Sequence, residues 1–189
     1  MYEMDRLRMS RLRRLGIVPR WVVVPTNQKQ TVAEHSFHVC CLALWLADRS
    51  APVYSGNISR ERIMMSALFH DEFEAVTGDI TSPTKKFLDI PALMEHLPTI
   101  GIDEQEFAAI KNIVKVADIL ESAIFIHEDR CLGNGLNGAI TMELNDALQE
   151  EWRKFEWSRP AGLKPNAHEL LLLAIKTVGV ESNLSTEQS

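Results

Sequence analysis

Apolar residues recur every three or four positions along most of the chain, and the interruptions fall at residues that start or stop helices. Residues 2 to 15 form an amphipathic helical pattern that Gly16 stops. Arg20-Trp21-Val22-Val23-Val24-Pro25 reads instead as extended backbone ending in a turn. Thr31-Val32-Ala33-Glu34 has the form of a capping box, so His35 is expected just inside a helix start. From Ser59, a good N-cap residue, the pattern predicts a helix through Ile63, Ala67, His70 and Glu74, ended by Gly78. That spacing puts His70 and Glu74 on one face. Asp103 stands where it can cap a long helix with apolar positions Phe107, Ile110, Val114 and Ala117. Asp118 lies beside that stripe, with Lys115 one turn before it. Two further helices are expected, one around residues 139 to 156 and one opened by Asn166 with Glu169 three positions on. Strand alternation is confined to Val22 to Val24, and no internal repeat is visible. The expected fold is therefore all-α, a single helical-bundle domain over residues 1–181 with a polar tail at 182–189.

Composition narrows the function classes. The 189 residues suit one domain, and 46% apolar with 24% charged residues is ordinary for a folded globular chain. A net charge of -6 argues against a general nucleic-acid-binding surface, so a polyanionic ligand would need a local basic patch. Arg6, Arg8, Arg11, Arg13, Arg14 and Arg20, against Glu3 and Asp5, supply one candidate; the plainer reading is solvated helix arginines. Apolar stretches such as Leu170 to Ile175 fall well short of the roughly 20 residues of a membrane span, so no membrane association is expected. Cys40 and Cys41 are neighbours and Cys131 is alone, which writes neither a disulfide framework nor a CxxC zinc site and fits a reducing cytoplasm.

The candidate chemistry lies in His35, the adjacent pair His70-Asp71, and Asp118. Two imidazoles and two carboxylates form a mixed nitrogen and oxygen set suited to Zn, Mn, Co or Fe. A His-Asp dipeptide or a lone histidine says little by itself; the combination carries the signal. His38, three residues after His35, makes an HxxH pair conceivable. His96, His127 and His168 lack partners at motif spacing, and Gly133-Asn134-Gly135 suggests a turn.

Thr31-Val32-Ala33-Glu34-His35-Ser36, then Leu68-Phe69-His70-Asp71 with Glu74 and Thr77-Gly78-Asp79, then Lys115-Val116-Ala117-Asp118, resemble the HD-domain phosphohydrolases. More narrowly, they resemble the group that contains the YfbR-type 5'-deoxyribonucleotidases and the phage dATP triphosphohydrolases of the DatZ type. The resemblance covers about residues 5 to 125. It implies an all-helical HD-domain fold in which His35, His70, Asp71 and Asp118 bind a divalent metal (Co, Mn or Zn, with Mg as a second, phosphate-bound ion). Glu74 matches the catalytic carboxylate. Arg20 and Trp21 match a substrate-contacting pair, Asp79 a carboxylate near the sugar 3'-hydroxyl, and Lys85 and Lys115 lysines that approach the phosphates. Val23 and Pro83 join Trp21 as the expected lining of an adenine pocket. The plainer alternatives are a helix-surface Glu74, a core Trp21, a solvated Lys85-Lys86 pair and a turn-forming Asp79.

The implied substrate is a small-molecule deoxynucleotide, and self-association into a dimer or hexamer is expected by analogy, in the cytoplasm or, for a phage protein, in that of its host. The short segment from Asp71 to Asp118 favours dATP, cleaved to deoxyadenosine and triphosphate, over a dNMP cleaved to deoxynucleoside and phosphate. Two other readings are an HD enzyme for another phosphate ester, such as a cyclic dinucleotide or guanosine alarmone, and a noncatalytic HD-fold module. The signature residues of the first are missing, and the second would predict eroded ligands.

Overall fold

The computed structural model describes residues 2–49, 59–85, 87–89, 104–155 and 164–179, with side chains from residue 9 onward except at 82, 83 and 104–107. Lys86, His96, Asp103 and the tail 182–189 lie outside the described residues, as do the side chains of Arg6, Arg8, Pro83 and Phe107. The elements are α1 (Tyr2–Leu15), α2 (Val32–Ala47), α3 (Arg60–Phe69), α4 (Glu74–Thr77), α5 (Ser82–Lys85), α6 (Glu104–Cys131), a 3-10 turn (Gly135–Asn137), α7 (Gly138–Lys154) and α8 (Ala167–Thr177). This is the expected all-α architecture.

The 28-residue α6 is the axis of the fold. Ile110, Ile113, Val114, Val116, Ala117, Leu120, Ala123 and Ile124 are all buried on it, more than one face of a surface helix could supply. The reason is that α2, α3, α7 and α8 all pack against it. Val39, Ala43 and Leu46 from α2, Ile63 and Ala67 from α3, Leu148 and Trp152 from α7, and Leu170 and Ala174 from α8 complete one continuous core. A small satellite cluster of Leu15, Val32 and Ala75 seats the end of α1 against α2 and α4. Arg13 and Arg14, in the last turn of α1, are exposed, in keeping with solvated arginines.

Two helix starts form as the sequence predicts. The Thr31 hydroxyl accepts the Glu34 N–H at 3.3 Å, and Glu34 Oε2 accepts the Thr31 N–H at 2.7 Å. Asn166 and Glu169 repeat the reciprocal pair at α8, both bonds at 2.9 Å. Ser59 occupies the N-cap position of α3 without a side-chain cap bond.

Two expectations are corrected. Val22 to Val24 do not extend: Trp21 sits at φ 62°, and the Val24 N–H closes a turn on the Trp21 carbonyl at 3.0 Å. Among the described residues, strand-like pairing is limited to the antiparallel bridge Pro19–Thr31, flanked by Val32 N–H to Val18 and Arg20 N–H to Gln30. This bridge lays Arg20 and Trp21 beside the start of α2.

The second correction concerns the helix expected from Ser59 to Gly78, which breaks after Phe69. The Glu72 and Glu74 N–H groups bond three residues back, to Phe69 and Asp71, and α4 restarts as a separate turn. Adjacent residues of an ideal helix point about 100° apart. His70 and Asp71 instead converge, with His70 Nε2 3.2 Å from Asp71 Oδ2. Gly78 ends α4 at φ 77°, a conformation that costs glycine little.

Candidate metal centre

His35 reaches the centre from the first turn of α2, His70 and Asp71 from the break after α3, and Asp118 from the middle of α6. Ligand atoms of His35, His70 and Asp71 lie within 4.8 Å of one another. Asp118 Oδ1 completes the group, 3.2 Å from His35 Nε2 and 4.0 Å from His70 Nε2. His38 does not join it; its exposed ring approaches Glu121 Oε1 at 3.4 Å.

The hydrogen bonds fix which nitrogens face inward. His70 Nδ1 lies 2.8 Å from the Ala67 carbonyl, which only accepts, so the proton is on Nδ1. His35 Nδ1–H donates likewise to Glu121 Oε2. Burial opposes the charge on Glu121, yet His35 and the other donors around it hold its pKa down to about 2, so it too only accepts. Each Nε2 faces carboxylate oxygen, and in the neutral ring it is the nitrogen that carries the lone pair. His70 Nε2 is buried without a hydrogen-bond partner. Lone pairs against carboxylates repel unless a proton or a cation lies between them. The donor set, two imidazole nitrogens and two carboxylates, fits a divalent first-row metal.

Electrostatics tell the same story. Burial disfavours charge on His70, but the Asp71 and Asp118 carboxylates outweigh it and raise its pKa to about 9. Asp118 is held well below its ordinary value against the effect of burial, through His35 and Lys115. Glu74 behaves oppositely: burial and the Asp71 charge raise its pKa to about 7, with Lys85 opposing.

Glu74 is fully buried, which rules out a helix-surface carboxylate. Lys85 Nζ stands 2.9 Å from Glu74 Oε1 and 3.4 Å from Asp71 Oδ1, so it faces the site and not solvent alone. Lys115 Nζ, half exposed, lies 3.0 Å from Asp118 Oδ2. Asp79 Oδ2 accepts the Trp21 N–H at 3.0 Å and so holds the strained turn in place. The Trp21 ring lies parallel to Phe125, centroids 5.6 Å apart, with the Arg20 guanidinium 5.2 Å from its centre. Val23 is exposed within the same turn.

Sequence reasoning missed Gln30, Glu121, Ser122, Phe125 and Asp129. Gln30 accepts the Trp21 indole N–H at 3.1 Å and donates to Glu121 at 2.6 Å. Arg20 donates to the Ser122 hydroxyl at 3.4 Å. Buried Asp129 accepts the Asn27 and Gln28 N–H groups at 2.7 and 3.0 Å and the side-chain amides of Asn134 and Asn137 at 2.6 and 2.8 Å. Relative to Asp118, residues 121, 122, 125 and 129 sit at i+3, i+4, i+7 and i+11, one stripe along α6. That periodicity was the available signal, hidden because a polar stripe on a helix usually reads as a solvated face.

The chain is similar in sequence and fold to known proteins. Residues 9–96 match the family model for 5'-deoxynucleotidase YfbR-like proteins. A dATP triphosphohydrolase of Salmonella phage PMBT28 is 35% identical over 149 residues, covering 71% of this chain and 77% of the relative. A 5'-deoxynucleotidase YfbR of Photorhabdus temperata is 32% identical over 146 residues, covering 66% and 74%. The solved HD phosphohydrolase DatZ of cyanophage S-2L, bound to dA and one catalytic Zn2+ ion, shares the fold with a TM-score of 0.57 at 20% identity, over 89% of this chain and 94% of that one. With its sequence matched in these relatives and its fold in a solved HD phosphohydrolase, the chain belongs to the YfbR-like HD-domain phosphohydrolases.

Proposed function

We propose that this protein is a metal-dependent phosphohydrolase of 2'-deoxynucleotides, with His35, His70, Asp71 and Asp118 as metal ligands and Glu74 as the carboxylate that handles the proton. The observation that carries the reading is the convergence of two buried Nε2 atoms on the carboxylate oxygens of Asp71 and Asp118, a donor set that a divalent cation fits. Co, Mn or Zn suits that donor set, with Mg as a second ion on the phosphates. Bound there, the metal supplies Lewis acidity, polarising a phosphoryl oxygen and acidifying water.

The chain's own residues do the rest. Lys85 and Lys115 offset phosphate charge from two sides, and Arg20, whose Nε and Nη1 are buried without hydrogen bonds, adds a planar donor. Trp21, with Val23 on the same turn, offers an apolar wall for the base, to which the family resemblance adds Pro83, and the second oxygen of Asp79 is left for the sugar 3'-hydroxyl. A pKa near 7 lets Glu74 hold a proton at neutral pH and pass it to the 5'-oxygen as the bond to the α-phosphorus breaks and water oxygen takes its place.

The preferred substrate is dATP, giving deoxyadenosine and triphosphate, in keeping with the phage relative at 35% identity. The family match over residues 9–96 favours a second reading, hydrolysis of dNMPs to deoxynucleoside and phosphate. Incubation with Co, Mn, Zn or Mg and each dNMP, dNTP and NTP, followed by chromatography, separates them. Triphosphate from dATP is the expected product; phosphate from dNMPs alone selects the second reading, and inertness toward every deoxynucleotide overturns both.

A further inference from the structure

We propose that Glu121 and Gln30 are positioning residues that tie the orientation of the Trp21 indole to that of His35 through one chain of hydrogen bonds. This rests on the reading above, in which Trp21 faces the base and His35 holds the metal. The chain runs from Trp21 Nε1–H to Gln30 Oε1, from Gln30 Nε2–H to Glu121 Oε1, and from His35 Nδ1–H to Glu121 Oε2. Gln30 and Glu121 are each 4% exposed and His35 is fully buried, so neither bond to Glu121 is readily replaced by water; the half-buried indole closes the outer end.

Donor and acceptor roles leave a single arrangement. The indole N–H only donates and the carboxylate only accepts, so the Gln30 amide cannot flip without placing like groups together at both ends. Glu121 thereby orients His35 with one oxygen and, through Gln30, Trp21 with the other. Arg20 falls under the same control, its Nη1 3.6 Å from Glu121 Oε2 and its backbone N–H bonded to the Gln30 carbonyl at 2.8 Å. Base wall, phosphate donor and metal ligand are registered to one carboxylate.

The test uses the full chain loaded with Zn or Co. Gln30→Met keeps the volume and removes the bridge. It should shift the Trp21 indole N–H resonance, assigned with Trp21→Phe, and raise KM for the best deoxynucleotide by roughly tenfold, while kcat and metal affinity stay within about twofold. In a Trp21→Phe background it should raise KM no further. Glu121→Gln should move the same resonance and also weaken metal binding by about 10–100-fold. An unmoved indole resonance in Gln30→Met, metal loss in Gln30→Met equal to that in Glu121→Gln, or unaltered metal affinity in Glu121→Gln would each overturn the proposal. Should Gln30→Met fail to fold, Gln30→Asn, one methylene too short to bridge, takes its place. If no deoxynucleotide is hydrolysed, the functional reading falls, while the indole resonance and the metal titration still decide the relay.

Discussion

His35 and His70 present the same nitrogen, Nε2, because each Nδ1 proton is held by an acceptor outside the centre. Removing either a nitrogen or a carboxylate from so small a set leaves the others facing one another. His70→Ala and Asp118→Ala should therefore lose bound metal and activity together, as read by elemental analysis and turnover; full activity in either would refute the ligand assignment. Glu74→Gln should behave differently, keeping the metal while kcat falls by about 10²–10⁴-fold, since in the proposed mechanism Glu74 carries a proton and is not a ligand. The four ligand candidates were legible in the sequence because residue type, order and helix context agreed. Glu121 was not, since a glutamate among Ile119, Leu120 and Ser122 carries no mark of burial, and its partner His35 lies 86 positions away.

At the scale of elements, the helix starts were readable because a capping box is a local contract among four residues. Thr31→Ala should destabilise the protein by about 1 kcal/mol in chemical denaturation, through loss of the acceptor for the Glu34 N–H at the turn that carries His35. The break after Phe69 was not readable: the residues from Ile63 to Glu74 fit a continuous helix, and only the convergence of His70 and Asp71 on groups from α2 and α6 opposes it. The turn at Trp21 was hidden in the same way, since three valines signal extension and the bond from Trp21 N–H to Asp79 spans 58 positions. Asp129→Ala should cost roughly 3 kcal/mol, because it strands two backbone and two side-chain donors that now share one carboxylate. Denaturant midpoints for the two variants check both values.

For the whole molecule, the site couples stability to protons and metal. Without metal, His70 is raised from its ordinary 6.5 to about 9 and Glu74 from 4.5 to about 7, so both bind protons more tightly folded than unfolded. Their contribution is fully present below those ordinary values and is lost as pH rises through the raised ones. Asp71, Asp118 and Glu121 are depressed, and theirs is lost as pH falls below the usual carboxylate range. The melting temperature of chelator-treated protein should thus decline from pH 6 to pH 9, and added Zn or Co should raise it most at the alkaline end, where the metal no longer competes with protons. A rising Tm over that range in the chelated protein would contradict the electrostatic account.

The stripe on α6 has a consequence for how such a chain can change length. From Asp118 to Asp129 it spans eleven residues, about 16 Å at 1.5 Å per residue, and meets in turn the ligand shell, Gln30, Arg20, Trp21 and the loop at Asn27 and Gln28. One residue inserted anywhere inside it would turn everything downstream by about 100° and advance it by one step, uncoupling Trp21 and the Asn27 loop from the cluster around His35 and Asp118 at a stroke. Single-residue insertions and deletions within this stretch should be the least tolerated in the protein, and a deep insertion scan would find there a silent interval eleven positions long.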